Sequence, residues 1–403
     1  ILINACWEAA VSIDDADLIL FNTCSVRQHA EDRVLGRISN EMHRKQAKPQ
    51  LKIAVLGCMA QRMGQRLLEK GSGVDLVVGV DQYRLLPELL ENSGQMEIEL
   101  DPAQIYDQLD PLHQSKTCAF VTIMRGCDNF CSYCIVPHVR GRERSLPFKQ
   151  IEAEVRRCGD LGMKDVTLLG QNVNSYQHEE YDFPRLLKEL NLIDSIYRLR
   201  FITSHPKDLS EQLIEVMATG NRICHHIHLP MQSGDDTILG LMRRKYSIEH
   251  YLGLVNKLRK AMPDIALTTD IIAGFPGETE AMFENTLLAM RTVGFDYAFC
   301  FKYSGREGTD AATLPNQVPE AERLARLQKM IELQREITKS KFSAKIGSVV
   351  EVYVEDISKK SAEMVSGKTR DFKIAVLSGT RNDIGTLKSS RVIKATAGTL
   401  ICD

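Results

Sequence analysis

The chain has 403 residues, a formal net charge of −2, 43% apolar residues and 26% charged residues. That length supports about two to four domains with ample core, and the balance excludes a disordered chain and a globally basic nucleic-acid binder. No apolar run reaches membrane-spanning length, no signal-peptide pattern opens the chain, and eleven cysteines, an odd number, do not make a secreted disulfide framework. A cytosolic location with reduced thiols is the default expectation.

The first third alternates short apolar runs with amphipathic stretches. Residues 16–21, 52–56 and 74–79 suit buried parallel strands, and the stretches around 26–46 and 60–70 suit helices. This predicts a small Rossmann-like α/β domain to about residue 91, then an acidic connector; residues 1–114 carry 11 Lys/Arg against 17 Asp/Glu. Over 115–340 the alternation continues on a larger scale. Strand candidates are 118–125, 164–169, 197–202, 225–229, 266–272 and 296–302, and a long polar helix closes the region at about 319–340. Six such units predict a partial (β/α)6 barrel of TIM type, with chemistry at the C-terminal ends of its strands. From 341 to 403 the period changes to two, as in Val349-Val-Glu-Val-Tyr-Val354, with glycines between the runs. A small, OB-like β-barrel is expected there, modestly basic at 11 Lys/Arg against 7 Asp/Glu, a balance suited to phosphate contact.

The chemistry starts just after the first barrel strand. Cys127, Cys131 and Cys134 stand at C-x3-C-x2-C spacing. Three thiolates and no fourth leave a metal cluster with one open iron, where structural zinc and electron-transfer clusters want four protein ligands. The alternative is a zinc site completed by His138, which the loop-like sequence after Pro137 disfavours. Tyr133 either packs on the adenine of a cosubstrate bound at the open iron or shields the cluster. Cys24 and Cys58 each directly follow a strand of the first domain. Adjacent parallel strands would set these thiols side by side at one sheet edge, although buried free cysteine is the commoner role. Cys118, Cys158, Cys224, Cys300 and Cys402 lie inside predicted elements and read as core.

The chain resembles the methylthiotransferases, radical S-adenosylmethionine (SAM) enzymes that insert sulfur and a methyl group into an unactivated C–H bond. The resemblance runs in family order through Asn22-Thr-Cys-Ser-Val-Arg27, Gly57-Cys-Met-Ala-Gln-Arg62, Arg125 to Ser145, Leu168-Leu-Gly-Gln-Asn-Val-Asn174, His228-Leu-Pro-Met-Gln-Ser-Gly234, Gly274-Phe-Pro-Gly-Glu-Thr279 and Tyr303-Ser-Gly-Arg-Glu-Gly-Thr309. The C-terminal module, with Gly367-Lys-Thr-Arg370, resembles the TRAM RNA-binding domain. Asn22–Arg27 and Val139–Arg144 are most similar to the branch that converts N6-isopentenyladenosine at position 37 of tRNA to its 2-methylthio derivative. Branches acting on threonylcarbamoyl-adenosine or on a ribosomal protein are the alternatives, and an iron–sulfur RNA-binding or electron-transfer protein without radical chemistry is a third reading.

The resemblance implies two 4Fe-4S clusters. Cys127, Cys131 and Cys134 hold the one on whose open iron SAM binds; Cys24 and Cys58 match two of three ligands of an auxiliary one. The family's third ligand lies in a segment that this sequence does not contain, and Cys6 is too close to Cys24 to replace it; the chain opens at Ile1, so a missing N-terminus is inferred. One SAM serves as methyl donor and another as radical source, with a low-potential electron donor and a sulfur source as further partners and no membrane. Gly170, Gln171 and Asn172 at one strand end, Gln232 and Ser233 at another, and Gly274 at a third are the candidate SAM or substrate contacts. Arg140, Arg142 and Arg144 after the cluster loop, and Lys368, Arg370 and Lys373 in the last module, are the candidates for gripping a tRNA anticodon stem-loop carrying isopentenyladenosine at position 37. For the arginines the alternative is a network of internal salt bridges.

Overall fold

The computed structural model describes residues 1–25, 28–69, 71–91, 95–107, 109 and 111–403. Val26 and Arg27 of the first motif lie outside the described residues. The chain divides into two compact units: Ile1–Leu109, Arg125–Arg144 and Ser304–Ala312 form the first, and Asp110–Met124, Ser145–Tyr303 and Thr313–Asp403 the second. Compactness thus cuts across the expected divisions 1–114, 115–340 and 341–403. The segment after the first barrel strand belongs with the first unit because Ile135 and Val139 share a core with Cys58 and Val80. The short segment from 304 joins it through Glu307, which accepts two hydrogen bonds from Arg66 at 2.7 and 2.8 Å.

The first unit is built on four parallel strands, β1 (Leu18–Thr23), β2 (Lys52–Gly57), β3 (Leu76–Val78) and β4 (Gln95–Glu97), in that spatial order. Period two explains the apolar runs. Val55 and Val77 pack with Ile38 of helix α1 (Gln28–Ala47) and Met59 of helix α2 (Cys58–Met63), while Ala54, Leu56, Leu76 and Val78 face Leu86 and Leu90. The expected parallel α/β sheet is present. Its order is strictly sequential, so among the described strands it lacks the reversal that makes the crevice of a Rossmann sheet. β4 lies in the stretch read as a connector.

The second unit carries six parallel strands: β5 (Cys118–Thr122), β6 (Asp165–Leu169), β7 (Arg198–Phe201), β8 (His226–His228), β9 (Ala266–Ala273) and β10 (Tyr297–Lys302). They pair as β7-β6-β5 and β8-β9-β10, and a parallel bridge from Leu199 to Ile223 joins the halves. β5 and β10 have no second strand partner among the described residues, so the barrel is partial and open at those edges. Helices between the strands start at side-chain caps: Asp182, Ser210, Ser247 and Thr279 each accept the N–H of the third residue onward. The long helix Glu320–Ser343 buries Arg326, Met330, Gln334, Thr338 and Phe342, one every four residues, which explains how so polar a helix still packs.

Five further strands, β11 (Val349–Ile357), β12 (Met364–Thr369), β13 (Ile374–Ser378), β14 (Leu387–Ala395) and β15 (Leu400–Cys402), close into a barrel in the order β11-β12-β13-β15-β14. Val350, Val352, Val354, Val365, Ala375, Leu377, Val392 and Leu400 fill it, with Phe342 of the long helix as its stopper. The turn from β12 to β13 is tied to the N-terminal ends of the partial barrel's strands. Arg200 donates to both oxygens of Asp165 at 3.0 Å and to the carbonyls of Thr369 and Arg370. Phe372 stacks on His226 with centroids 4.5 Å apart.

Lys373 completes this joint by pairing with Asp296 at 2.7 Å and Asp371 at 3.0 Å, its side chain only 2% exposed. Burial alone would raise the Asp371 carboxyl, but Lys373 and Lys345 outweigh it and hold it well below the usual carboxylate range. Burial alone would lower Lys373, and Asp296 and Asp371 outweigh that and raise it. Both members stay charged, and breaking such a pair from one side costs about 3–5 kcal/mol. Among the described residues no helix is long and apolar enough to cross a membrane.

Candidate functional site

The three-cysteine loop is shaped by its backbone. Gly126 has φ +75°, and a Cβ there would lie 2.0 Å from the Arg142 carbonyl, so only glycine lets the two arms of the loop close. The Cys127 N–H donates to the Gly141 carbonyl at 3.2 Å, the Cys134 N–H donates to the Cys131 carbonyl at 3.0 Å, and Phe130 takes φ +46°. Cys127 and Cys131 are buried, and Cys134 is half-buried. Asn129 donates its side-chain N–H to Cys127 Sγ at 3.4 Å. Burial is the main reason the Cys127 thiol sits above its ordinary pKa. Metal binding would reverse that protonation by coordinating the thiolate.

The donor set fits a cluster better than a single ion. A tetrahedral zinc holds its thiolates about 3.8 Å apart. Among the described residues the only three potential ligand atoms converging within 4.8 Å belong to His113, Glu154 and Cys158. The cysteine triad is not so gathered, and His138, the proposed fourth zinc ligand, is exposed. In the converging group Arg157 engages both Glu154 oxygens at 2.8 Å, so the carboxylate is already neutralised. That group ties the connector to the helix Phe148–Asp160.

Cys24 and Cys58 follow directly on a register pair, Thr23 with Gly57, so both thiols stand at one end of adjacent strands as topology predicts. Gly57 has φ +92°, and a Cβ on it would meet the Thr23 carbonyl oxygen at 2.5 Å. That close approach brings the start of α2 against β1. Cys24 is exposed and Cys58 is 6% exposed. Glu31, 1% exposed, anchors the turn after Cys24: Ser25 donates to it, Arg62 donates to Glu31 at 2.7 Å and to Ser25 at 2.8 Å, and Arg306 lies 3.7 Å away. Arg62 and Arg306 fall inside the family motifs at 57–62 and 303–309, and Glu31 carries no sequence signal of its own.

The three arginines after the loop have three different fates. Arg142 is at the surface, 73% exposed, and pairs with Asp128 at 2.8 and 3.0 Å. Arg144 is internal, bound to the fully buried Asp81 and to the Asp101 and Arg140 carbonyls. Arg140 donates its Nε–H to Cys58 Sγ at 3.2 Å. The expected RNA clamp is therefore corrected for Arg144, whose guanidinium has no surface to offer. The same correction holds in the second unit for Lys373, buried as described; Arg370 is half-buried and donates to the carbonyls of Asn221 and Ile223. Lys368 pairs with Glu355 at 2.8 and 2.9 Å.

In the second unit the candidate cosubstrate residues sit at strand C-terminal ends. Gly170 follows β6 with no room for a side chain, since a Cβ would come 2.4 Å from Met124. Gln171 is half-buried. Asn172 is 2% exposed and donates to Asp208 at 2.8 Å, while its Oδ1 is buried without a partner. Asn174 laces this end to the next strand by donating to the His205 carbonyl and accepting from its N–H. Gln232 takes φ +66° and its backbone spans to β9. Ser233 is fully buried with its hydroxyl against Thr286, so it serves the packing of helix Glu280–Val293 and is not a cosubstrate contact. Gly274 has φ +71° and faces Arg323, and its N–H donates to Glu278 at 2.6 Å; the strand-to-helix turn is real. Tyr133 is half-buried in the first unit.

Sequence reading missed the aromatics on the barrel's open edges. Phe120 on β5 and Phe299 on β10 are 60% and 54% exposed. Phe299 meets His228 edge-on at 6.0 Å; His228 Nδ1 is 3.0 Å from Thr268 Oγ1, and its Nε2 is 3.5 Å from Asp270. Exposed phenylalanine on a strand is visible only once the sheet's open edge is known.

Comparison with known proteins bears on the family and the fold. A model of the radical SAM superfamily matches residues 121–290, and one of an uncharacterized protein family, UPF0004, matches residues 1–79. The tRNA-2-methylthio-N(6)-dimethylallyladenosine synthase of Desulfitobacterium hafniense (strain Y51) is 45% identical over 397 residues, covering 96% of this chain and 89% of that protein. The synthase of the same name from Bacillus licheniformis is 44% identical over 400 residues, covering 96% and 78%. The solved structure of the radical SAM methyltransferase TsrM from Kitasatospora setae, with cobalamin and a 4Fe-4S cluster bound, aligns with a TM-score of 0.60 at 15% identity, over 73% of this chain and 66% of that one. That last likeness is one of fold. The chain belongs to the methylthiotransferase family of radical SAM enzymes, in the branch of the tRNA-2-methylthio-N(6)-dimethylallyladenosine synthases.

Proposed function

We propose that this chain is the tRNA methylthiotransferase that converts N6-isopentenyladenosine at position 37 to its 2-methylthio derivative, using one SAM as methyl donor and one as radical source. The observation that carries the reading is the loop of three thiols, and no fourth, in a chain of this family. When bound, the clusters supply the electron that cleaves SAM and the sulfur that is transferred.

The chain's own residues bind, orient and exclude water. Cys127, Cys131 and Cys134 would hold the radical-generating cluster, with Asn129 steadying Cys127. Cys24 and Cys58 would hold the second cluster together with a further ligand. Gly170, Gln171, Asn172 and Gln232 would line the cosubstrate, the buried Asn172 Oδ1 being an acceptor in want of a donor. In the second unit Gly274 would let backbone approach an adenosine; in the first, Tyr133 would pack on an adenine bound beside its cluster. The exposed rings of Phe120 and Phe299 suit an adenine with an apolar N6 tail, which buries about 25 cal/mol per Å² when covered. Arg142 remains a candidate phosphate contact from the first unit. In the last barrel, Lys359, Lys360, Arg381 and Lys394 are exposed and replace the internal cations as candidates.

The test is mass spectrometry of nucleosides from isopentenylated tRNA incubated with reconstituted protein, SAM, sulfide and dithionite. The 2-methylthio nucleoside is the expected product; its absence alongside 5′-deoxyadenosine formation would sink the substrate assignment.

A further inference from the structure

Arg140 is set apart from its neighbours by what it touches. Arg125 and Arg144 share the buried carboxylate of Asp81, and Arg142 pairs with Asp128. Among the described residues no ion pair includes Arg140, and the group its Nε–H meets is the sulfur of Cys58 at 3.2 Å. The contact is fixed by packing. Arg140 ends the short helix α3 (Val136–Arg140), whose Val139 shares a buried cluster with Cys58, Val80 and Ile135. Its carbonyl accepts from Arg144, which Asp81 holds in turn.

We propose that Arg140 is a positioning residue for the second, sulfur-carrying cluster: its charged N–H holds the Cys58 thiolate in place and withdraws electron density from it. The proposal rests on the reading of Cys58 as a ligand of that cluster. A hydrogen bond from a cation to a coordinating sulfur favours the more negative, reduced form, so it raises the reduction potential. Arginine suits this better than lysine because its Nε–H direction is fixed by the planar guanidinium. Arg142 stands 73% exposed at the surface, whereas Arg140 is half-buried and turns its Nε–H to sulfur.

The test uses the full chain with Cys127, Cys131 and Cys134 replaced by alanine, reconstituted with iron and sulfide, so that only the second cluster is read. Iron content and potentiometric EPR are compared for this parent and for added Arg140→Gln, Arg140→Lys and Cys58→Ala changes. Cys58→Ala is expected to lose the signal; if its iron is unchanged, the ligand reading falls and the proposal with it. Given that loss, Arg140→Gln is expected to keep its iron, titrate at a more negative potential and change its EPR line shape, with Arg140→Lys between it and the parent. If both variants titrate with the parent, the role of Arg140 is overturned while Cys58 stands as a ligand. Should Arg140→Gln take up no iron, Arg140→Lys decides: a negative shift supports the proposal, and an unshifted potential overturns it.

Discussion

The two thiol sites of the first unit are built in opposite ways. Cys127, Cys131 and Cys134 lie within eight residues of one loop, and the loop's own hydrogen bonds give it shape. Cys24 and Cys58 are 34 positions apart and come to one end of adjacent strands only because β1 and β2 pair in register. A local site survives damage to the sheet that carries it, and a site made by topology does not. The first follows from spacing; the second depends on a strand pairing and one glycine.

The largest separation between them comes from Cys131→Ala. Release of 5′-deoxyadenosine from SAM, measured by chromatography with dithionite as reductant, is expected to vanish while the melting temperature stays close to that of the parent. Next is Cys58→Ala, which should keep that release yet give no 2-methylthio nucleoside; if it abolished both, the sites would not be separable. Gly57→Ala should cost about 1–3 kcal/mol from a backbone conformation, φ +92° and ψ −160°, that is nearly glycine's alone, more from the 2.5 Å approach to Thr23, and should lower iron at the second site only. Denaturant melts and iron counts check it, and equal loss at both sites would show that the sheet supports them jointly. The smallest effect belongs to Asn129→Ala, which removes one weak donor from Cys127. It should leave stability within about 0.5 kcal/mol and shift the EPR of the first cluster slightly.

Most of the fold was legible because its signals are local. Each strand of the partial barrel begins and ends within about three residues of the predicted run, as buried parallel strands read as short apolar stretches between polar ones. The three-residue strand Gln95–Glu97 was missed because it has one apolar side chain, Met96, and borrows its place from β3. Charge was the least legible property. Lys373, Arg370 and Arg144 look like surface cations in sequence, and each is consumed by a buried carboxylate or a backbone carbonyl contributed by a distant segment. Ser233 failed similarly: its partner Thr286 lies 53 residues away on a helix that sequence could place only approximately. The ionic joint around Lys373 also sets a pH window. Asp371 is depressed and Lys373 raised, so their contribution is fully present between about pH 4 and pH 10 and is lost on moving outside that range.

Helix α3 starts two residues after Cys134 and stops at the residue that meets Cys58. Five residues at about 1.5 Å each make a rod about 8 Å long. Each inserted or deleted residue would turn its end by about 100° and carry the guanidinium off the sulfur. The interval from 134 to 140 is therefore a spacer of fixed length, held by the packing of Ile135 and Val139.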